Sequence, residues 1–215
     1  MEKIILMEKI NRPPLSEIST LNKLEENWEE WGYRLKWSSF SRKLYLELRS
    51  QLENLTLEHC SFCDNYPIHP GTIEHYFPKK EYFCLTYYWA NLFYCCFKCQ
   101  LESKKYPFEY TLKPDNEGYE FEDYFYYDND SGELRVLKNL KMETPDKYLK
   151  AQYFLKRYGI NEDGKRRKKR QKLFRDILNF LKANEPDDLR TRDDFEFRYV
   201  YDYAKQFYDQ QIKQK

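Results

Sequence analysis

At 215 residues the chain suits one domain, or a small core with helical additions, and it is long enough to hide roughly 70% of its unfolded surface. A charged fraction of 34% and a mean hydropathy of −0.97 would suit disorder, but 19% aromatic residues exclude it, because disordered chains lack such large apolar bodies. The formal charge of +1 excludes a global pull on nucleic acid, so any such attraction must come from local clustering.

Glu8 and Lys9 interrupt Ile4, Ile5 and Leu6 too soon for a signal peptide, and Pro13-Pro14 reads as a turn or extended entry. Leu21, Leu24, Trp28 and Trp31 then recur at helical spacing, with Glu25, Glu26, Glu29 and Glu30 mostly opposite and Gly32 as the expected stop. Phe40, Leu44, Leu48, Leu52 and Leu55 form the stripe of a second helix that runs almost directly into Cys60. Residues 56–108 differ in kind. They hold all six cysteines, all three histidines, Pro70-Gly71 and short β-leaning runs such as Thr72-Ile73, the texture of a small metal-organised ββα unit rather than a large sheet. Past Pro107 a hairpin is expected from Tyr124–Tyr127, an Asp128-to-Gly132 turn and a strand over Leu134–Leu137.

Three helices close the chain, over 145–158, 164–183 and 193–212. Leu173, Ile177, Leu178 and Leu181 give the middle one an apolar face, and Val200, Ala204, Phe207 and Tyr208 do so for the last. No stretch approaches about 20 apolar residues, so no membrane span is expected. The pattern predicts an α+β fold, with an N-terminal helical region (1–57), a ββα-metal core (58–108), and a hairpin and C-terminal helical region (109–215) packed with that core as one unit.

Without a leader the cysteines are expected in a reducing cytoplasm, where paired cysteines bind metal more often than they form disulfides. Cys60-x2-Cys63 and Cys96-x2-Cys99 are two such pairs. A two-residue gap lets a tight turn aim both sulfurs at one ion, and tetrahedral Zn2+ favours four thiolates, so these residues predict a structural zinc site. Cys95 and Cys96 compete for the second pair, and only Cys96 gives the two-residue gap to Cys99. A redox pair is the weaker alternative, because the usual strand–helix setting is missing. Cys84 and Cys95 read as small buried hydrophobes.

Between the pairs lie Ile73-Glu74-His75-Tyr76-Phe77-Pro78-Lys79 and Trp89-Ala90-Asn91-Leu92-Phe93. Adjacent Glu and His on a strand point to opposite faces, so both can serve one site only at a strand end, and Pro78 is consistent with such an end. The whole run, Cys-x2-Cys, Glu-His-x2-Pro-Lys, Trp-x-Asn-Leu-x3-Cys-x2-Cys, resembles the zinc-stapled HNH endonucleases. It looks closest to the HNH proteins encoded beside an ATPase in bacterial anti-phage systems of the Septu type. The likeness is densest over residues 58–108 and extends through Lys113-Pro114-Asp115 and Tyr158-Gly159-Ile160-Asn161. It implies that His75 is the general base, Glu74 a ligand of a catalytic Mg2+ or Mn2+, Asn91 the residue that orients the His loop, and the four paired cysteines the zinc ligands. It also implies a partner ATPase and a nucleic-acid substrate, DNA favoured. The sequence departs from the pattern after the last cysteine, where Gln100 stands in place of the usual second metal ligand, His or Asn. Ser103 stands where a Lys is usual, with Lys104 one residue late. A Gln oxygen can still ligate a hard cation, with Glu102 or water as substitutes.

Lys165, Arg166, Arg167, Lys168, Lys169, Arg170, Lys172 and Arg175 crowd one helix with no acid among them. The run reads as a track for a phosphate backbone, as a solvated face, or as a dock for an acidic partner, with Lys79 and Lys104 as further phosphate contacts. Trp28, Trp31, Phe40 and Tyr45 are assigned to packing, and His59 and His69 to structural or exposed roles, His69 nearer the site. The expected activity is phosphodiester hydrolysis. The rivals are a catalytically inactive zinc-containing binding or adaptor module and an RNA-cleaving, toxin-like effector.

Overall fold

Leu48 and Leu52, one helical turn apart, are completely buried in helix α1 (Arg42–Leu55), and Leu55 packs beside them, as their spacing dictates. The computed structural model describes residues 42–82, 85–86, 88–108, 110–183 and 191–213; the expected helix around Trp28 and Trp31, Gly32, Phe40 and Cys84 lie outside them. Strand β1 (Thr72–His75) pairs antiparallel with β2 (Leu92–Cys95), Thr72 opposite Cys95 and His75 opposite Leu92. Helix α2 (Phe97–Ser103) follows at once, its first turn capped by the Cys96 sulfur. Every residue of β2 is buried, because α1 packs against β2 while α2 packs against β1.

The second hairpin joins β3 (Phe125–Asp128) to β4 (Glu133–Val136). In its turn the Asp128 carboxylate accepts from the Asp130 backbone N–H at 3.1 Å, and Gly132 takes the left-handed φ of 70°. Four helices complete the chain: α3 (Leu140–Glu143), α4 (Pro145–Arg157), α5 (Gly164–Ala183) and α6 (Arg198–Lys213). Proline opens α4 in the first turn, where its missing N–H costs nothing, and Gly159, at φ 56°, follows its end. The Asn161 side chain then acts as a surrogate strand: its Oδ1 accepts from Leu134 N at 3.1 Å and its Nδ2 donates to Leu134 O at 2.7 Å. Among the described residues the architecture is α+β, helices around two small antiparallel sheets, and none of these helices is long and apolar enough to cross a membrane.

Two helical expectations need correction. The last helix starts at Arg198 rather than near 193; Arg192–Asp194 is a separate 3-10 turn closed by a Thr191/Asp194 capping box. Phe195 and Phe197 then turn into the core, and Phe197 at φ 55° breaks the helical path. The inner stripe of α5 is Arg166, Arg170, Phe174 and Ile177, so two arginines and Phe174 supply much of the face that the leucine pattern was expected to provide. Leu173, Leu178 and Leu181 are only partly buried beside it. Phe174 meets Tyr203 and Phe207 of α6 at ring distances of 5.7 and 5.8 Å.

A continuous core runs from Leu48 to Ala204. Phe62, between the first two paired cysteines, stacks on Tyr158 at 4.0 Å, which ties the end of α4 to that turn. Asp64 ties α6 to the same turn: its carboxylate accepts from Arg198 Nε at 3.0 Å, from the Arg198 guanidinium NH2 at 2.7 Å and from Arg198 N at 2.6 Å. Both side chains are almost fully buried. Asp64→Ala strips the main partner from a buried guanidinium and is expected to cost about 3–5 kcal/mol in urea unfolding. A loss below about 1 kcal/mol would show that this pair does not anchor α6.

Candidate active site and metal centre

The two cysteine pairs are brought together by backbone hydrogen bonds that leave little freedom. Ser61 N donates to the Tyr94 carbonyl at 2.9 Å, which lays the first turn against β2 just before Cys96. Cys96 N donates to Cys60 Sγ and Cys99 N to Cys96 Sγ, both at 3.4 Å. The four sulfurs of Cys60, Cys63, Cys96 and Cys99 all lie within 4.8 Å of one another, close enough to hold a metal ion. Cys63 and Cys96 are separated by 3.8 Å, and a tetrahedral ion with bonds of about 2.3 Å spaces neighbouring sulfurs by about that distance.

Burial pushes the Cys60 and Cys99 thiols up, whereas contacts with the other three sulfurs push Cys96 down. Four sulfurs this deeply enclosed can all ionise only around a cation. Arg166, itself buried, adds further positive charge: its guanidinium donates to Cys96 Sγ at 3.2 Å and to Cys99 Sγ at 3.8 Å. Cys95 is not in the cluster. It turns to Thr72, whose Oγ1 lies 3.4 Å from its sulfur, so Cys96 is the member of the second pair.

β1 ends at His75, and a loop leads from there to Asn91. The fully buried Asn91 side chain holds that loop closed. Its Oδ1 accepts from Phe77 N at 2.7 Å, and its Nδ2 donates to Leu85 O at 2.8 Å and to Phe77 O at 3.2 Å. Only a carboxamide can accept and donate in this way. His75 Nε2 lies 2.9 Å from the Thr86 carbonyl, which only accepts, so Nε2 carries the proton and the lone pair stays on Nδ1. Burial, with Lys79 nearby, brings the His75 pKa down to about 4, and the ring is neutral at pH 7.

Glu74 is half-buried beside α2. Ser103 Oγ lies 2.8 Å from its Oε1 and 3.0 Å from the Gln100 carbonyl, so one hydroxyl proton serves both. Burial raises the Glu74 carboxyl, and Ser103, Gln100, Lys104 and Arg157 oppose the rise. Gln100 Nε2 donates to Ile73 O at 3.2 Å, which fixes the orientation of the amide and reserves its oxygen as an acceptor. Glu74, His75, Gln100 and Ser103 line one cleft of about 920 Å³, together with Lys79, Lys80, Lys104 and Lys105, the rings of Tyr45, Tyr106 and Phe108, and Arg157. Tyr45, assigned from the sequence to packing, therefore also faces this cleft.

The basic run divides. Arg166 is turned into the sulfurs, and Arg170, 1% exposed, donates to the Ile160 carbonyl at 2.7 Å; neither offers its charge to a polymer. Arg167 is paired with Glu133 and Lys169 with Glu196, while Lys165 and Lys168 are exposed. A continuous phosphate track along this helix is thus replaced by an inward and an outward face. His59 is buried between the Leu57 and Phe195 carbonyls, and His69 is exposed and paired with Glu53. Sequence reasoning missed Thr86 and Arg157. Neither lies in a motif, and only the fold brings them to the site. No protein-family model matches the chain, and no curated protein matches it.

If the four sulfurs hold an ion, Cys99→Ser is expected to abolish that binding and destabilise the protein by about 3–5 kcal/mol, lowering Tm by roughly 10 °C at about 2–4 °C per kcal/mol. Metal content and thermal unfolding of wild type and variant check this. An unchanged melting curve would show that the sulfurs hold no structural ion.

Proposed function

We propose that this protein is a metal-dependent endonuclease of the HNH type that hydrolyses phosphodiester bonds in nucleic acid, DNA favoured. One observation carries the reading: a neutral imidazole, oriented through Nε2 by a backbone carbonyl, shares a lysine-rimmed cleft with the adjacent carboxylate of Glu74. The order of elements supports it, since an antiparallel pair followed at once by a packed helix is what a ββα-metal core requires.

In this reading His75 Nδ1 takes the proton from the attacking water, the task for which a neutral His suits at pH 7. Asn91 keeps the loop, and with it the Thr86 carbonyl, where His75 needs it. Lys79, Lys80, Lys104 and Lys105 attract the phosphate backbone locally, which a net charge of +1 cannot do globally. The Glu74 carboxylate would be the chief hard donor to Mg2+ or Mn2+, and the Gln100 amide, whose NH2 serves Ile73 and Glu74, would turn its oxygen to join it. When bound there, the ion would supply Lewis-acid neutralisation of the departing oxygen. The four thiolates would hold Zn2+, away from substrate, as the fastener of the site. Action in anti-phage defence with a partner ATPase belongs to the same proposal and rests on the sequence resemblance.

A zinc-containing binding module without catalysis is the second reading, favoured by the Ser103 hydroxyl that already occupies Glu74 Oε1. The discriminating assay offers the purified protein DNA and RNA with Mg2+ or Mn2+. Wild type is expected to cleave, and His75→Ala to lose at least about 100-fold in rate while keeping its cysteine-bound metal. Equal cleavage by both proteins, or none by wild type, overturns the nuclease assignment. Cleavage of RNA alone replaces the DNA preference with the toxin-like alternative.

A further inference from the structure

Three arginines of the described chain are deeply buried without a carboxylate partner among the described residues, and they are not equivalent. Arg166 faces the four sulfurs. Arg170 is enclosed by the Ile160 carbonyl, the Tyr199 hydroxyl and the Phe197 ring. Arg157, 3% exposed at the end of α4, lines the cleft that holds Glu74, His75 and Gln100.

A buried guanidinium is costly unless its donors and its charge are both met. Arg157 donates through one terminal nitrogen to the Tyr106 carbonyl, while its Nε makes no hydrogen bond. Beyond that carbonyl its charge meets only the Tyr158 ring, 5.7 Å from the guanidinium carbon, and the longer-range attraction of Glu74 across the cleft. The position is also rigid, because the next residue, Tyr158, is stacked on Phe62 between the first paired cysteines. A fixed cation with an unused donor, at the wall of a cleft rimmed by four lysines, is complementary to a tetrahedral oxyanion.

We propose that Arg157 is the phosphate-binding residue of this cleft, holding a phosphodiester group of the substrate. The assignment of that phosphate to a nucleic-acid strand rests on the nuclease reading; the anion site itself does not. No bond is made or broken at Arg157; it contributes hydrogen bonds and charge to the group that His75 and its water approach.

The test uses the full chain with inorganic phosphate as probe and no added divalent ion. Phosphate binding is followed by titration calorimetry in wild type, Arg157→Lys and Arg157→Gln. Wild type is expected to bind, Arg157→Gln to bind at least about tenfold more weakly, and Arg157→Lys to fall between, because Lys keeps the charge but not the planar fork. A merely structural role for Arg157 would lower stability without changing phosphate affinity in the folded variants. If Arg157→Gln does not fold, the Arg157 Nε–H resonance of wild type, assigned by its loss in Arg157→Lys, must shift on phosphate addition. An unshifted resonance, equal affinity in all three proteins, or no phosphate binding by wild type overturns the proposal. A short oligothymidylate should displace the phosphate. Failure to do so leaves a site for free phosphate and removes the diester assignment. Cleavage without Arg157-dependent phosphate binding sinks this inference and spares the nuclease reading, and Arg157-dependent binding without cleavage does the reverse.

Discussion

Four sulfur atoms within 4.8 Å of one another, close enough to hold a metal ion, lie where several small elements of the chain meet. The first sheet has two strands of four residues each, and α2 has seven residues; in isolation neither would persist in water. The first cysteine pair is fastened to β2 through Ser61, the second pair opens α2, and Arg166 carries α5 to the same point. Phe62 and Asp64, on either side of Cys63, then bring in α4 and α6 by stacking and by a buried ion pair. Helices α2, α4, α5 and α6 therefore converge on the cysteine turns.

The cleft draws on the same short elements. β1 delivers Glu74 and His75 together because it ends there, and α2 supplies Gln100 and Ser103 because it starts directly after the sulfurs. The polar groups in and behind the cleft are fixed by hydrogen bonds: Asn91 to Phe77 and Leu85, His75 to Thr86, Gln100 to Ile73. Buried networks of this kind are stable only when nearly every member is satisfied, so each partner restricts its neighbour. Arg157 is the exception at the cleft wall, and its buried, unpaired Nε–H is the reason to propose a ligand there.

Local features were legible in the sequence. The two-residue cysteine gaps, the Leu48, Leu52 and Leu55 part of the α1 stripe and the limits of α5 all follow from patterns that act within a few residues, and the structure reproduces them. Features decided by tertiary contact were not. Arg166 and Arg170 look like their neighbours in a basic run, and only the sulfurs, the Ile160 carbonyl and the Tyr199 hydroxyl pull them inward. The start of α6 was misplaced because Phe195 and Phe197 fit a helical pattern while serving the core from a turn. Gln100, a departure from the motif by type, lies beside Glu74 all the same, since its place is set by α2.

Whether this cleft assembles a catalytic centre comes down to where a divalent ion binds relative to His75. Anomalous scattering from crystals soaked in Mn2+ measures that directly. The account predicts a manganese peak between the Glu74 carboxylate and the Gln100 amide oxygen, with the His75 ring facing it across one water and a separate zinc peak among the four sulfurs. A cleft without manganese, with Ser103 still on Glu74 and His75 turned away, would contradict it.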